Sequence, residues 1–394
     1  MQQYNAPHGT PSSIGPQINT KFYARKAIQD AQDEMFFTQL SSTLDMPKNY
    51  GKTISKFAYM PLIDDRNTNT TEGINAAGAV TPAWSNLYGS SKDIGTITSG
   101  LPTLSEGAGR VNRVGYTRVE RTATLSRLGF FHEWTDDMMD FDTDPQLYDH
   151  LYTELVNGAV KIEEALTQID LINGAGVVRF TGDATSKATL SPEGAVSDKL
   201  KYADIVRLGI ALDVNKAPKT MKVLTGSAMT DTRTVPNCRV LYVAPELQLE
   251  LETMTNANGR EVFIPVHTYA GQTKPLNGEI GSIGGFRVIA VNEMLKDEGQ
   301  GATVGTNPGY RATGVKYDAY VVLAVAGNSF TSVGFQGTVA SGPKMKVIVK
   351  KPGESMAGLD NPYGNKGFAS IQWYHATLVE RPEWIAKIYT IAPV

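Results

Sequence analysis

The sequence predicts an α+β protein, with one long helix among many short strands. Three observations carry this expectation. An apolar stripe of helical spacing runs from Leu147 to Ile169, short apolar runs bounded by Gly and Pro recur after Tyr202, and a Thr-, Asn-, Gly- and Ser-rich stretch from Ile63 to Gly109 separates two strand-like runs. The 38 glycines and 20 prolines among 394 residues agree, since both residues punctuate turns. With 41% hydrophobic residues the chain can fill one large core or two medium ones.

Met1 to Pro16 is rich in Pro, Ser, Gly and Gln and offers no face to bury, so it is expected to be a flexible arm that orders on assembly. From Thr20 to Leu44, Phe22, Ala27, Ala31, Met35 and Leu40 fall at a loose helical spacing and predict a short helix ending before Met46-Pro47. Thr53 to Leu62 reads as a strand, and Val111 to Phe130 as a second long strand bearing Arg113, Arg118, Arg121 and Arg127. Two extended arms joined by a polar tip make a long hairpin with little to pack against in its own subunit; a stretch of that length implies a role outside the domain.

Asp144-Pro145 predicts the start of the long helix, with Asp as N-cap and Pro where a missing N–H costs nothing. Leu147, Leu151, Leu155, Ala159, Ile162, Leu166 and Ile169 then mark one apolar stripe. At 1.5 Å per residue this is a helix of about 27 residues, roughly 40 Å long, stopped by Asn173-Gly174. Beyond Tyr202 a helix near Ala203 to Asn215, a strand at Arg239 to Val243 and a helix opened by Pro245-Glu246 read as a separate α/β region. Gly278 to Val291 is a turn-rich approach to a buried strand. Ala319 to Ala326 is the longest strongly apolar stretch; it is far short of the roughly 20 residues a membrane helix needs and reads as a buried strand. Met345 to Lys351, Ile371 to Glu380 and Trp384 to Ile391 are expected to be strands of a sheet beside the long helix.

A net charge of -3 argues against a dedicated nucleic-acid binder and leaves only non-specific contact with DNA. Cys238 is the sole cysteine, so an intrachain disulfide or a thiolate metal cluster is impossible and a reducing cytoplasm is the simplest birthplace. Met1 to Asp30 lacks the basic start and apolar core of a signal peptide.

The acidic run Asp136, Asp137, Asp140, Asp142 and Asp144 resembles the opening of a calcium loop. The sixth and twelfth positions hold Pro145 and Leu151 where Gly and Glu are needed, so a solvated helix entry is the better reading. Gly51-Lys52-Thr53 copies the end of a phosphate loop, but Met46 stands at the required Gly and a strand follows. Gly174-Ala175-Gly176 follows a helix, the wrong context for a dinucleotide site. The histidines His8, His132, His150, His267 and His375 have no zinc-protease spacing, and no Gly-x-Ser-x-Gly elbow is present. Asn69-Thr70-Thr71 is a chance match to a glycosylation acceptor. The reading is therefore of no enzyme, with no catalytic, cofactor or metal residue.

Arg110, Arg113, Arg118, Arg121 and Arg127 are either a nucleic-acid patch or half of an ion-pair set between subunits. The interleaved Glu106 and Glu120, with Asp136, Asp137, Asp140 and Asp142 nearby, favour the second, because alternating signs set register between surfaces whereas a DNA stripe carries one sign. Trp84, Trp134, Trp373 and Trp384 raise a rival, a β-rich hydrolase or carbohydrate-binding protein, although scattered tryptophans are more often packing anchors.

The order of arm, protruding two-stranded loop, long helix, α/β region and returning strands resembles the Hong Kong 97 capsid fold. Residues add to this: Tyr23-Ala24-Arg25-Lys26, the run Leu44 to Ile54, Glu72-Gly73, Gly278-Glu279-Ile280-Gly281, Gly284-Gly285-Phe286-Arg287-Val288 and Asp360-Asn361-Pro362-Tyr363-Gly364 with Gly367. They resemble the coliphage N-four-like family of major capsid proteins of tailed bacteriophages, across about Tyr23 to Ile391. The resemblance implies an N-terminal arm and first helix at 1–50, an extended loop at 51–130, a peripheral domain with spine helix at 131–201, an axial domain at 202–342 and further peripheral strands at 343–394. It implies hexamers and pentamers in an icosahedral head shell around double-stranded DNA, with a portal protein as partner and no membrane, in a virion assembled in the bacterial host cytoplasm. Decoration proteins are compatible with it, and any scaffolding is expected to be a separate protein because no scaffold-like domain precedes the fold. A nanocompartment shell like encapsulin is the alternative that shares the fold.

Overall fold

The computed structural model describes residues 36–40, 42–46, 50–60, 73–74, 80–81, 94–99, 101, 103–104, 106, 112, 116, 118–141, 147–193, 197–224, 232–235, 238–269, 276–307, 309–335, 345–358 and 361–394. They fall into two compact units, one from 129–160 and 346–372, the other from the described parts of 34–128, 161–345 and 373–394.

The second unit is built on an eight-stranded mixed sheet. Its order is Ile264–Pro265, Glu279–Ile283, Phe286–Ala290, Arg239–Val243, Ala319–Val325, Ile385–Thr390 and Val177–Phe180, with Lys296–Asp297 pairing beside Ala319–Val325. Ala319–Val325 and Arg239–Val243 are buried at every position, so their sequences are continuously apolar except for Arg239, with no alternation. They run antiparallel, with Val240 opposite Val325, while Arg239–Val243 runs parallel to Phe286–Ala290. Helix Tyr202–Val214 adds Ile205, Leu208 and Leu212 to this core, a spacing that puts them on one face. The residues expected to approach a single buried strand form a hairpin, Glu279–Ile283 against Phe286–Ala290. The expected helix after Pro245-Glu246 is one 3-10 turn, Pro245–Leu247, continued by Gln248–Glu252.

Three expectations are corrected by tertiary pairing. Of the helix expected over Thr20 to Leu44, the described part is a 3-10 turn, Thr38–Leu40, followed by a strand, Ser42–Met46. That strand runs parallel to Phe330–Phe335, with the Ser42 and Thr331 hydroxyls 2.7 Å apart. Its ladder supplies backbone partners that outweigh a weak helical spacing. The Phe37 and Tyr242 rings pack at a tilt with centroids 4.3 Å apart, and the Tyr242 hydroxyl donates to the Phe36 carbonyl.

The strand expected over Val111 to Phe130 is two strands, Arg118–Thr124 and Ser126–Thr135, broken at Leu125. Leu125 is buried with Met46, Val333, Ala376 and Leu378, and its N–H donates to the Lys52 carbonyl. The late strands do not share one sheet: Lys366–His375 lies between Met345–Lys350 and Ser126–Thr135 and pairs with both, Thr377–Val379 joins Phe330–Phe335, and Ile385–Thr390 enters the eight-stranded sheet.

The long helix is Leu147–Gly174, 28 residues ending at the predicted stop; its expected cap Asp144-Pro145 lies outside the described residues. Its buried row differs from the expected stripe. Leu155, Ala159, Glu163, Thr167, Gln168 and Leu171 are buried, while Ile162 and Ile169 are each 40% exposed. Polar members of the row are satisfied where they lie: the Thr167 hydroxyl donates to the Glu163 carbonyl at 2.9 Å, and the Gln168 amide contacts Met294 Sδ at 2.8 Å. Burial of hydrogen-bonded polar groups at about neutral cost frees two isoleucines for the surface.

Candidate functional site

Thr53–Tyr59 and Arg118–Thr124 form a two-stranded antiparallel ribbon of their own. The strands hold together by register: Thr53 and Thr124 hydroxyls meet at 3.2 Å, and the Arg118 guanidinium lies 4.2 Å from the centre of the Phe57 ring. The ribbon is anchored at its base. Ile54 and Ala123 pack on the small core around Leu125, Lys56 pairs with Glu380 at 2.6 Å, and the Thr331 hydroxyl donates to the same carboxylate. Along the rest, Phe57 is 48% and Tyr59 61% exposed. Two strands without a further partner are marginal in water, so large exposed aromatics on such a ribbon mark a surface meant to be covered.

Of the arginines proposed from sequence, Arg118 and Arg121 sit on this ribbon. Arg127 is exposed on the next strand, and Arg110 and Arg113 lie outside the described residues. Asp136, Asp137 and Asp140 are exposed on the short helix Asp136–Phe141, whose first N–H donates to the Asn365 carbonyl; Asp142 lies outside the described residues. None of these three carboxylates has an ion pair among the described residues. The break at Leu125 therefore assigns Arg121 and Arg127 to different sheets, a separation that the unbroken run of residues conceals. Cys238 is buried, and burial pushes its thiol up, away from thiolate chemistry. No described helix is long and apolar enough to cross a membrane.

A charged cluster escaped the sequence reading. His375 is 6% exposed, with Nδ1 3.1 Å from Glu163 and Nε2 3.2 Å from Asp170. The Trp373 indole donates to the same Glu163 carboxylate at 2.9 Å. The Nδ1 approach is an ion-pair distance with poor hydrogen-bond alignment. Lys366–His375 alternates strictly, burying Gly367, Ala369, Ile371, Trp373 and His375. A histidine at an inward position of a period-two strand was the one available signal; its partners, 205 and 212 residues away, left none. Both ring nitrogens face carboxylates, which makes this a structural cluster and leaves no free nitrogen for a substrate.

Burial lowers the His375 pKa, but the Asp170 and Glu163 carboxylates outweigh it and raise the value from 6.5 to about 9. The folded value lies above the unfolded one, so the stabilisation is complete below about pH 6.5 and disappears as pH rises through about 9. At 1.36 kcal/mol per unit the limit is about 3 kcal/mol, and solvent at the half-exposed Asp170 reduces this to about 2 kcal/mol. Denaturant unfolding at pH 6 and pH 9.5 should show this loss in the native chain and not in His375→Leu; equal pH dependence in both would refute it.

A family model described as phage capsid protein matches residues 118–388. The major capsid protein of Pseudomonas phage KPP21 is 45% identical over 392 residues, covering 99% of this chain and 97% of the relative. This chain belongs to the phage capsid protein family. The capsid of Ralstonia phage GP4 superposes with a TM-score of 0.55 at 12% identity, covering 98% of each chain. That of cyanophage P-SCSP1u gives 0.50 at 12% identity, over 97% of this chain and 98% of the other. At these identities the likeness is one of fold, and the fold of this phage major capsid protein is that of other phage capsids.

Proposed function

We propose that this capsid protein assembles as hexamers and pentamers into the icosahedral head shell of a tailed phage, enclosing double-stranded DNA. The observation that supports it is the ribbon 53–59/118–124, tied down at its base and exposing Phe57, Tyr59 and Arg118 beyond it. A neighbouring copy that covers this surface removes apolar area from water, and obligate contacts of that kind commonly bury more than about 2,000 Å². Repeated head-to-tail contacts with the right curvature close on themselves and stop.

In this reading residues 51–130 are the extended loop, 131–201 hold the spine helix, 202–342 form the axial domain around the symmetry axes, and 343–394 return to the peripheral domain. Residues 1–50 are the arm and entry segment. Arg110, Arg113, Arg118, Arg121 and Arg127 meet Asp136, Asp137, Asp140 and Asp142 of neighbouring copies. A portal protein occupies one vertex, any scaffolding or decoration comes from separate proteins, and DNA is touched without sequence preference. The role is structural and without a catalytic step; assembly takes place in the bacterial cytoplasm and the product is the virion.

Electron microscopy of the purified chain tests this. Closed icosahedral particles are expected, and particles recovered from infected cells should contain DNA. A chain that remains monomeric at high concentration, or particles holding a cargo enzyme in place of DNA, would exclude the proposal.

A further inference from the structure

The ribbon carries an unresolved electrostatic conflict. Lys56 and Arg121 stand directly opposite each other in the register, a pairing of like charges that destabilises two-stranded sheets. Glu380 neutralises Lys56. Arg121 has no ion pair among the described residues, and Arg381, close by, leans on Glu383 at 3.5 Å. Together Lys56, Phe57, Tyr59, Arg121, Glu380 and Arg381 line a cavity of about 190 Å³. It holds three cations and one carboxylate, so it lacks an anion; the Phe57 and Tyr59 rings turn to the opposite face of the ribbon, where Phe57 meets Arg118.

The described surface of the same chain offers the complement. Helix Asp136–Phe141 presents Asp136, Asp137 and Asp140 to solvent, with Met138 38% exposed between them. Asp137 and Asp140 are three residues apart and share a helix face.

We propose that the cavity between the ribbon and Glu380–Arg381 is a seat for the acidic helix Asp136–Phe141 of a second copy, with Asp137 or Asp140 on Arg121. This rests on the shell reading above and specifies which residues of that interface meet. A DNA phosphate is the less suitable occupant. It would face the Glu380 carboxylate, and Glu120 interrupts the row of cations on the same strand. A seat of mixed sign instead selects a partner in one register.

Charge reversal and its repair test the pairing in the purified full-length chain. Arg121→Glu should lower the assembled fraction about tenfold at fixed protein and salt, as should Asp137→Lys with Asp140→Lys, because each shell repeats the contact many times. Combining Arg121→Glu with Asp137→Lys should restore at least half the native yield. Should the reversed chains fail to fold by circular dichroism, Arg121→Cys with Asp137→Cys provides a second route. Oxidation should produce covalently linked subunits on a non-reducing gel, absent from either single variant. Normal assembly of Arg121→Glu, deficits without rescue, or no cross-link from the paired cysteines would overturn the seat while leaving the shell reading intact. Normal shells that lose only bound DNA would assign the cavity to phosphate and overturn it as well. A native chain that never forms particles would remove both proposals.

Discussion

Replacing Glu163 by leucine is expected to destabilise the subunit by about 3–5 kcal/mol, the usual cost of removing one partner from a buried charged group. The imidazolium of His375 would keep only the Asp170 carboxylate, itself partly open to solvent, and the Trp373 indole would lose the acceptor at 2.9 Å. Glu163→Gln should cost less, about 1–3 kcal/mol, because an amide oxygen still accepts from Trp373 while the charge is gone. The two variants also differ from a volume effect in their pH signature: each should flatten the loss of stability between pH 6.5 and 9 that His375 gives the native chain. Replacing Glu163 and His375 together by apolar residues should recover much of the loss, since no charge is then left unpaired. Urea unfolding of the unassembled chain measures this, and a Glu163→Leu variant within 0.5 kcal/mol of native, a margin about that of ordinary surface substitutions, would show the cluster to be unimportant.

Arg239→Ala should cost a similar amount, about 3–4 kcal/mol, from charge-assisted hydrogen bonds of about 1.5–3 kcal/mol each. Arg239 opens a fully buried strand, 3% exposed, and its guanidinium ties that strand to the end of helix Tyr202–Val214. One Nη2 reaches Asp213 at 2.6 Å and the Ala217 carbonyl at 2.7 Å; Nη1 and Nε approach the Gly209 and Pro218 carbonyls at 3.4 Å. The planar fork is therefore spread over the helix C-terminus, where free carbonyls favour a cation. Lysine supplies charge without the fork, so Arg239→Lys should recover less than half of the loss. Asp213→Asn should be mild, because Asp213 is 45% exposed and the carbonyl bonds survive. Thermal unfolding of the three variants ranks them, and equal stability of Arg239→Lys and the native chain would contradict the geometry.

Both clusters bear on what the sequence can disclose. The strands Arg239–Val243 and Ala319–Val325 and the long helix were legible because their signal is local: a continuous apolar run, or an apolar repeat with a Gly stop. The ribbon was legible in outline, as two extended runs about a long polar segment, and so was the family, from motifs spread along the chain. The division of Arg118–Thr124 from Ser126–Thr135 was not. Leu125 breaks the strand because its side chain finds the core around Met46 and Ala376, and those residues are distant in sequence.

By itself, then, the amino-acid sequence determined the element types with a strong period, the single cysteine's inability to form a bridge within the chain, and membership of a capsid family. Only the tertiary structure decided which face of Leu147–Gly174 is inward. Ile162 and Ile169 are each as apolar as any core residue, yet they stay 40% exposed while Glu163 is 4% exposed, because Trp373 and His375 arrive from the other end of the chain to satisfy a carboxylate there. A helix pattern reports what each residue would prefer in isolation. Where a charged side chain meets its partners after a separation of some two hundred residues, the balance of desolvation against pairing is fixed by the fold, and no local spacing encodes it.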